Sequence, residues 1–293
     1  MFLASAGAYA SDTWSSSVIH QNLQREFKLF VPSSYKNSPL PLVVVLHGGG
    51  GNYNQIQRHT GFSKLAEKQG FFVAYPQGYG NGWNDGREDI QSKSHDLNID
   101  DVGFIMKMLS AIKSKYRINQ SRIYVCGISN GGFMSMRLAC EVPAAFAAAG
   151  IVCATLNPYL THARPDTKIS ILIMNGTEDP LVPYAGGYVK VFRKTRGRVL
   201  GTDDTIKYWL SWNNCGGEPF IAKINPDTTD NTEIEKYSYD CSGAEVILYK
   251  VIGGGHTWPG GSQYLPEAIV GRVSRDINAT EVLWGFFKGK SRR

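Results

Sequence analysis

The stretch from Arg122 to Met134 constrains this chain more than any other. A β-branched and aromatic run, Ile123-Tyr124-Val125, leads to Gly127-Ile128-Ser129-Asn130-Gly131, and apolar residues at helical spacing follow. Gly-x-Ser-x-Gly in that setting encodes a strand, a sharp turn and a helix. The serine backbone must be strained for its hydroxyl to project from the tip of the turn. The residues two positions away must be small, because strand and helix cross closely there; Gly127 and Gly131 meet that need. On its own the pattern also fits a glycine-rich turn that only starts a helix. A serine used as nucleophile needs a base and an orienting acid from elsewhere in the chain, so the rest of the sequence decides between the two.

The flanking chain alternates apolar runs with helical periods. Residues 26–32 alternate polar and apolar and predict a half-exposed strand. Residues 40–47 are nearly all apolar, as are 71–76, which suits strands buried on both faces. Further buried strands are expected over 146–154, 168–175 and 245–252. Helices are expected after Asp100 or Asp101, from Ser129 to Cys140, from Thr202, and over 278–288, where Asn278 and Glu281 stand at capping-box spacing. Residues 77–98 form a long Gly-, Asn- and Asp-rich loop, and loops of that length are often functional. Residues 181–201 read as a loop. The pattern is α/β: a mainly parallel sheet with helices on both faces. With no repeat or linker, residues 18–293 read as one catalytic-sized domain. Ligands of such sheets bind beyond the carboxyl ends of the strands.

Four predicted strand ends carry distinct chemistry: His47-Gly48-Gly49-Gly50-Gly51, Ser129, Asp179 and His256. The order Ser, Asp, His is that of α/β-hydrolase triads. Ser129 would attack an acyl carbonyl, His256 would take and return the proton, and Asp179 would hold the imidazole tautomer. The negative oxygen of the intermediate needs backbone donors. Asn130 N–H is one candidate, and Gly48 or Gly49 supplies the second; losing one donor costs about 3–4 kcal/mol. His47 reads as structural, orienting that glycine loop. Asp179 alone could simply cap its Glu178-Asp179-Pro180 turn, and only one of Glu178 and Asp179 can point inward.

Composition narrows the alternatives. The chain has 293 residues, is 42% hydrophobic and carries a formal net charge of +6. The one dense basic stretch is Lys190, Arg193, Lys194, Arg196 and Arg198, and it accompanies no nucleic-acid-binding motif, so no nucleic-acid partner is expected. No apolar run is long enough to span a bilayer, so no membrane partner is expected. Residues 1–17 read as a disordered start or the remnant of an export signal, with Ala8-Tyr9-Ala10 suited to signal peptidase; that points to a secreted or periplasmic protein. The five cysteines contain no C-x-x-C pair, and no metal or cofactor is expected. A helix from Ser129 to Cys140 is roughly 18 Å long, which carries Cys140 away from Cys153. Cys215 and Cys241 both flank glycine-rich loops and could pair.

Residues 46–51, 127–132, Gly176-Thr177-Glu178-Asp179-Pro180-Leu181-Val182-Pro183-Tyr184 and Gly253-Gly254-Gly255-His256-Thr257-Trp258-Pro259-Gly260 resemble the esterases of the polyhydroxybutyrate depolymerase and feruloyl esterase group. The resemblance runs from the first predicted strand to the last helix. It implies an α/β-hydrolase fold, metal-free ester hydrolysis through Ser129, Asp179 and His256, and secretion. Substrates would be feruloyl or acetyl esters of plant cell-wall polysaccharide, or hydroxyalkanoate polyesters. Trp258, Trp83, Tyr79 and Tyr184 could stack on a hydroxycinnamoyl ring or a sugar; rim or core packing is the alternative for each. A non-catalytic carbohydrate-binding protein of the same fold is the reading of a different class.

Overall fold

Leu40–Leu46 (β3) shows why the sheet has two covered faces. Its residues Leu42, Val44 and Leu46 enter one hydrophobic core, while Val43 and Val45 enter another. Side chains alternate across a strand, so a strand this apolar needs a layer on each side. The computed structural model describes residues 12–162, 167–191 and 194–292.

The remaining strands are β1 (Asp12–His20), β2 (Leu23–Val31), β4 (Phe72–Pro76), β5 (Ile118–Ile128), β6 (Ala148–Val152), β7 (Ser170–Gly176), β8 (Gly187–Val191), β9 (Lys194–Val199), β10 (Phe220–Ile224), β11 (Glu233–Cys241) and β12 (Ala244–Ile252). The helices are α1 (Tyr53–Thr60), α2 (Phe62–Gln69), α3 (Lys93–Asp96), α4 (Asp101–Lys115), α5 (Asn130–Glu141), α6 (Thr202–Asn213), α7 (Glu267–Val270) and α8 (Ala279–Lys288). A ten-stranded sheet runs β1-β2-β4-β3-β5-β6-β7-β12-β11-β10. Its centre, from β4 to β12, is parallel. Antiparallel ribbons extend both edges. Buried residues of α4, α5 and α6 fill the core on one face, and those of α1, α2 and α8 fill the other.

The local signals operate as their chemistry dictates. Asp100 caps α4 by accepting from the Gly103 N–H, and Asn278 caps α8 by accepting from Thr280 and Glu281. Gly61, at φ 67°, breaks one helical period into α1 and α2. The neighbours β5, β6, β7 and β12 all end on the same side, and this positions the site.

Three expectations need correction. Residues 12–17 are not a disordered start but lie in β1, paired with β2; residues 1–11 lie outside the described residues. Residues 181–201 are not simply a loop but contain the β8–β9 hairpin. Its alternation is hidden, because Lys, Arg, Thr and Gly interrupt its valines, of which Val189 and Val199 are buried. Both β10 and β11 were likewise unforeseen. Glu, Lys and Tyr punctuate their isoleucines, as suits an edge ribbon with one face in solvent. Arg193 of the basic stretch lies outside the described residues.

Cys215 and Cys241 are disulfide-bonded across 26 residues, tying the end of α6 to the end of β11. Cys126, Cys140 and Cys153 are free and buried. A bridge closing a loop of that length restricts the unfolded chain by about 3 kcal/mol. A Cys215→Ala/Cys241→Ala double variant is therefore expected to lose about that much stability in urea denaturation. An unchanged midpoint would show that the bridge adds nothing to this fold.

Candidate active site

Ser129 adopts φ 56°, ψ −123°, a backbone conformation that costs a residue with a Cβ on the order of 1–3 kcal/mol. Two bonds hold it there. Its N–H donates to the Val152 carbonyl (2.9 Å), and its carbonyl accepts from the Phe133 N–H (2.8 Å). A Cβ on Gly127 would stand 2.5 Å from the Gly131 carbonyl, and one on Gly131 would stand 2.3 Å from the Leu46 oxygen. Strand and helix therefore cross too closely for any other residue at either position.

Asp179 lies in the turn after β7 and is buried. Its Oδ1 accepts from the backbone N–H groups of Leu181 and Val182, both at 2.8 Å. Its Oδ2 accepts from His256 Nδ1 at 2.7 Å. With Nδ1 facing a carboxylate, the ring proton sits there and Nε2 keeps its lone pair. Glu178 instead points outward and pairs with Arg272 at 3.1 Å.

The loop after β12 carries His256 back across the sheet. The His256 N–H donates to the Val270 carbonyl (2.5 Å), and a Cβ on Gly255 would stand 2.2 Å from that same oxygen. Cys153, which follows β6, donates its thiol to the Thr257 carbonyl (3.2 Å) and lies 3.9 Å from the Gly255 carbonyl. The histidine loop thus rests on the end of β6, next to the strand that delivers Ser129. Among the described residues no hydrogen bond joins Ser129 Oγ to His256. The acid and base are directly paired; the serine follows β5, which β6 separates from the strand that carries Asp179.

On the other side of Ser129 lie the glycines after β3. A Cβ on Gly48 would be 3.6 Å from Ser129 Cβ, and one on Gly49 would be 3.6 Å from Asn130 Cβ. Among the described residues no acceptor engages the backbone N–H of Gly48, Gly49 or Asn130. The Asn130 N–H also sits at the positive end of α5. Buried His47 locks this loop: Nδ1 donates to the Gly48 carbonyl (2.8 Å), and Nε2 accepts from the Gly78 N–H (2.9 Å). Those opposed partners need a neutral ring. Burial drives its pKa from the ordinary 6.5 to about 4, against the Gly48 hydrogen bond that raises it.

The aromatic candidates separate. Trp83 and Trp258 are fully buried. Trp258 bonds Thr280 and packs edge-on to Phe62, while Trp83 bonds the His47 carbonyl. Both are packing residues and not open stacking surfaces, a correction to the sequence expectation. Tyr79 and Tyr184 are half-buried, and the Tyr184 hydroxyl donates to Asp203 (3.1 Å). Tyr264 was missed. The residue is 43% exposed, and its hydroxyl donates to the His256 carbonyl at 3.0 Å. No motif surrounds it, so only the fold reveals it. Cys153 Sγ, an Asp179 oxygen and a His256 nitrogen lie within 4.8 Å of one another. Burial and then Asp179 push that thiol well up, and the carboxylate and Nδ1 are engaged with each other. The thiol donates to a backbone carbonyl and the acid and imidazole bond each other, so the three are engaged separately and are not a set of free metal ligands.

The family model described as "Esterase PHB depolymerase" matches residues 25–164. NocK of Nocardia uniformis subsp. tsuyamanensis, provisionally named an esterase, is 30% identical over 264 residues, covering 85% of this chain and 74% of that protein. Feruloyl esterase B of Piromyces equi is 29% identical over 223 residues, covering 74% of this chain; the chain spans only 39% of that protein. Among solved structures, an acetyl xylan esterase from Aspergillus awamori superposes with a TM-score of 0.62 at 18% identity, covering 94% of this chain and 99% of that one. At that identity the likeness concerns the α/β-hydrolase fold.

His47 ties the site to stability. Its folded pKa lies below its unfolded value, so the unfolded chain takes up the proton first. The His47 contribution is intact above pH 6.5 and is lost as pH falls toward about 4. Thermal unfolding should show a decline over that window that is shallower in His47→Gln than in the parent. Parallel declines would contradict the neutral, buried ring.

Proposed function

The chain belongs to the polyhydroxybutyrate depolymerase and feruloyl esterase group of carboxylic ester hydrolases, and from that premise we propose a serine carboxylesterase acting through an acyl-enzyme. The observation that carries this reading is the buried 2.7 Å hydrogen bond between His256 and Asp179, at the same end of the parallel sheet as a serine held in a strained turn. Ser129 Oγ attacks the acyl carbon while His256 Nε2 takes its proton. The carbonyl electrons move onto oxygen, which the Asn130 N–H and a glycine N–H, Gly48 or Gly49, stabilise. Collapse breaks the ester C–O bond, and the alcohol leaves with the proton from His256. Water then attacks the acyl-enzyme, gives its proton to His256, and the acid departs as Ser129 recovers that proton. Asp179 keeps Nδ1 protonated and stabilises the imidazolium throughout.

Feruloyl or acetyl esters of plant cell-wall polysaccharide are the proposed substrates, with hydroxybutyrate polyester as the second reading favoured by the family model. Tyr264, a partly exposed aromatic residue bonded to the His256 carbonyl, supports an aromatic or sugar moiety at the rim. The Cys215–Cys241 disulfide supports an oxidising, extracellular or periplasmic location. Among the described residues no helix is long and apolar enough to cross a membrane.

Turnover of p-nitrophenyl acetate should fall by at least about 10⁴-fold in Ser129→Ala. Unchanged turnover in that variant would favour the non-catalytic binding protein. Methyl ferulate, acetylated xylan and hydroxybutyrate oligomers then separate the substrate readings.

A further inference from the structure

Loop 77–98 reaches the corner beside Ser129 through one short segment, residues 83–85. The Trp83 N–H donates to Asn130 Oδ1 (2.7 Å), and Asn130 Nδ2 donates to the Trp83 carbonyl (3.0 Å). The same Nδ2 donates to Asp85 Oδ2 at 2.6 Å. The Trp83 indole N–H donates to the His47 carbonyl at 2.9 Å.

That last bond has a directional consequence. In a trans peptide unit, the carbonyl of one residue and the N–H of the next lie in one plane and point in opposite directions. A donor fixed on the His47 carbonyl therefore fixes the direction of the Gly48 N–H, away from Trp83. Gly48 is the glycine that lies alongside Ser129.

Asp85 anchors the segment from below and is fully buried. Burial alone would raise its carboxyl, but the Arg87 guanidinium and the His95 ring outweigh it and hold it well below the usual range. Arg87 Nε donates to both carboxylate oxygens (3.0 and 3.1 Å), Nη2 donates to Oδ2 (2.6 Å), and the Arg87 backbone N–H donates to Oδ1 (3.1 Å). His95 Nε2 lies 3.3 Å from Oδ1. The guanidinium in turn lies 3.8 Å over the ring of Phe133 on α5. An ionised acceptor holds the Asn130 amide more strongly than a neutral one would.

We propose that Trp83 and Asp85 are positioning residues for the oxyanion donors: the Trp83 indole aims the Gly48 N–H, and Asp85 with the Trp83 backbone holds Asn130. This rests on the esterase reading above. Donors fixed before the substrate arrives need no reorganisation as the negative charge develops.

Two variants test it. Trp83→Phe keeps a buried ring and removes the indole N–H; Asp85→Asn keeps the shape and removes the charge. Rates with p-nitrophenyl acetate are normalised to sites titrated with a serine-directed phosphonate. Binding of phenylboronic acid, which forms a tetrahedral anion on a reactive serine, is measured alongside. Each variant is expected to lower kcat per titrated site about tenfold, with KM within about twofold, and to weaken boronate binding by a similar factor. A role confined to folding would lower Tm and the number of titratable sites and leave both per-site quantities unchanged; that outcome overturns the proposal. Should Asp85→Asn fail to fold, Trp83→Phe decides alone. A wild-type protein without ester turnover, or Ser129→Ala as active as wild type, overturns the esterase reading and this proposal with it. An inactive Ser129→Ala beside fully active Trp83→Phe and Asp85→Asn overturns this proposal alone.

Discussion

The crossing of β5 and α5 is the contact on which the site depends. Gly127 and Gly131 meet with no room for a Cβ, and between them Ser129 is held at φ 56°. Such strain persists only where the surroundings over-determine the backbone. Here the Val152 carbonyl of β6 takes the serine N–H and the first turn of α5 takes its carbonyl. Loosening that crossing would let the serine relax, and the hydroxyl would lose its fixed place at the tip of the turn.

A parallel sheet then does the assembling. Four adjacent strands, β5, β6, β7 and β12, end on one side, so Ser129, Asp179 and His256, far apart in sequence, all lie at the same end of the sheet. Asp179 is held by two backbone N–H groups before it meets His256, which leaves the carboxylate little freedom. Cys153 and Tyr264 hold the histidine loop through the Thr257 and His256 carbonyls. On the far side of Ser129, neutral His47 pins the glycine loop to the turn after β4. Rigid donors around a half-buried serine suit chemistry in which charge appears on an oxygen for a brief interval.

Much of this was legible in the sequence because it is encoded locally. The buried strands β3, β4, β6 and β7 announce themselves as apolar runs, and α4 and α8 by their capping residues. Ser129, Asp179 and His256 stand in short motifs at strand ends, where a parallel sheet must present them. The edge strands β1, β10 and β11 were not legible, since one-sided burial leaves polar residues throughout and register is set by a distant partner. Trp83 and Trp258 were misjudged for a related reason. An indole in a glycine-rich loop has the composition of a binding surface, and only the packed chain reveals that it is buried. Asp85 and Tyr264 act through contacts with Asn130 and the His256 carbonyl, and no residue spacing predicts those.

The account as a whole requires that an acyl group pass through Ser129. The direct measurement is rapid mixing with p-nitrophenyl acetate, acid quench, and mass analysis of the proteolysed chain. A single acetyl group on the peptide carrying Ser129, forming and decaying at the rate of turnover, is the predicted result. Turnover with no adduct on Ser129, or an adduct at another residue that keeps pace with product, would contradict it.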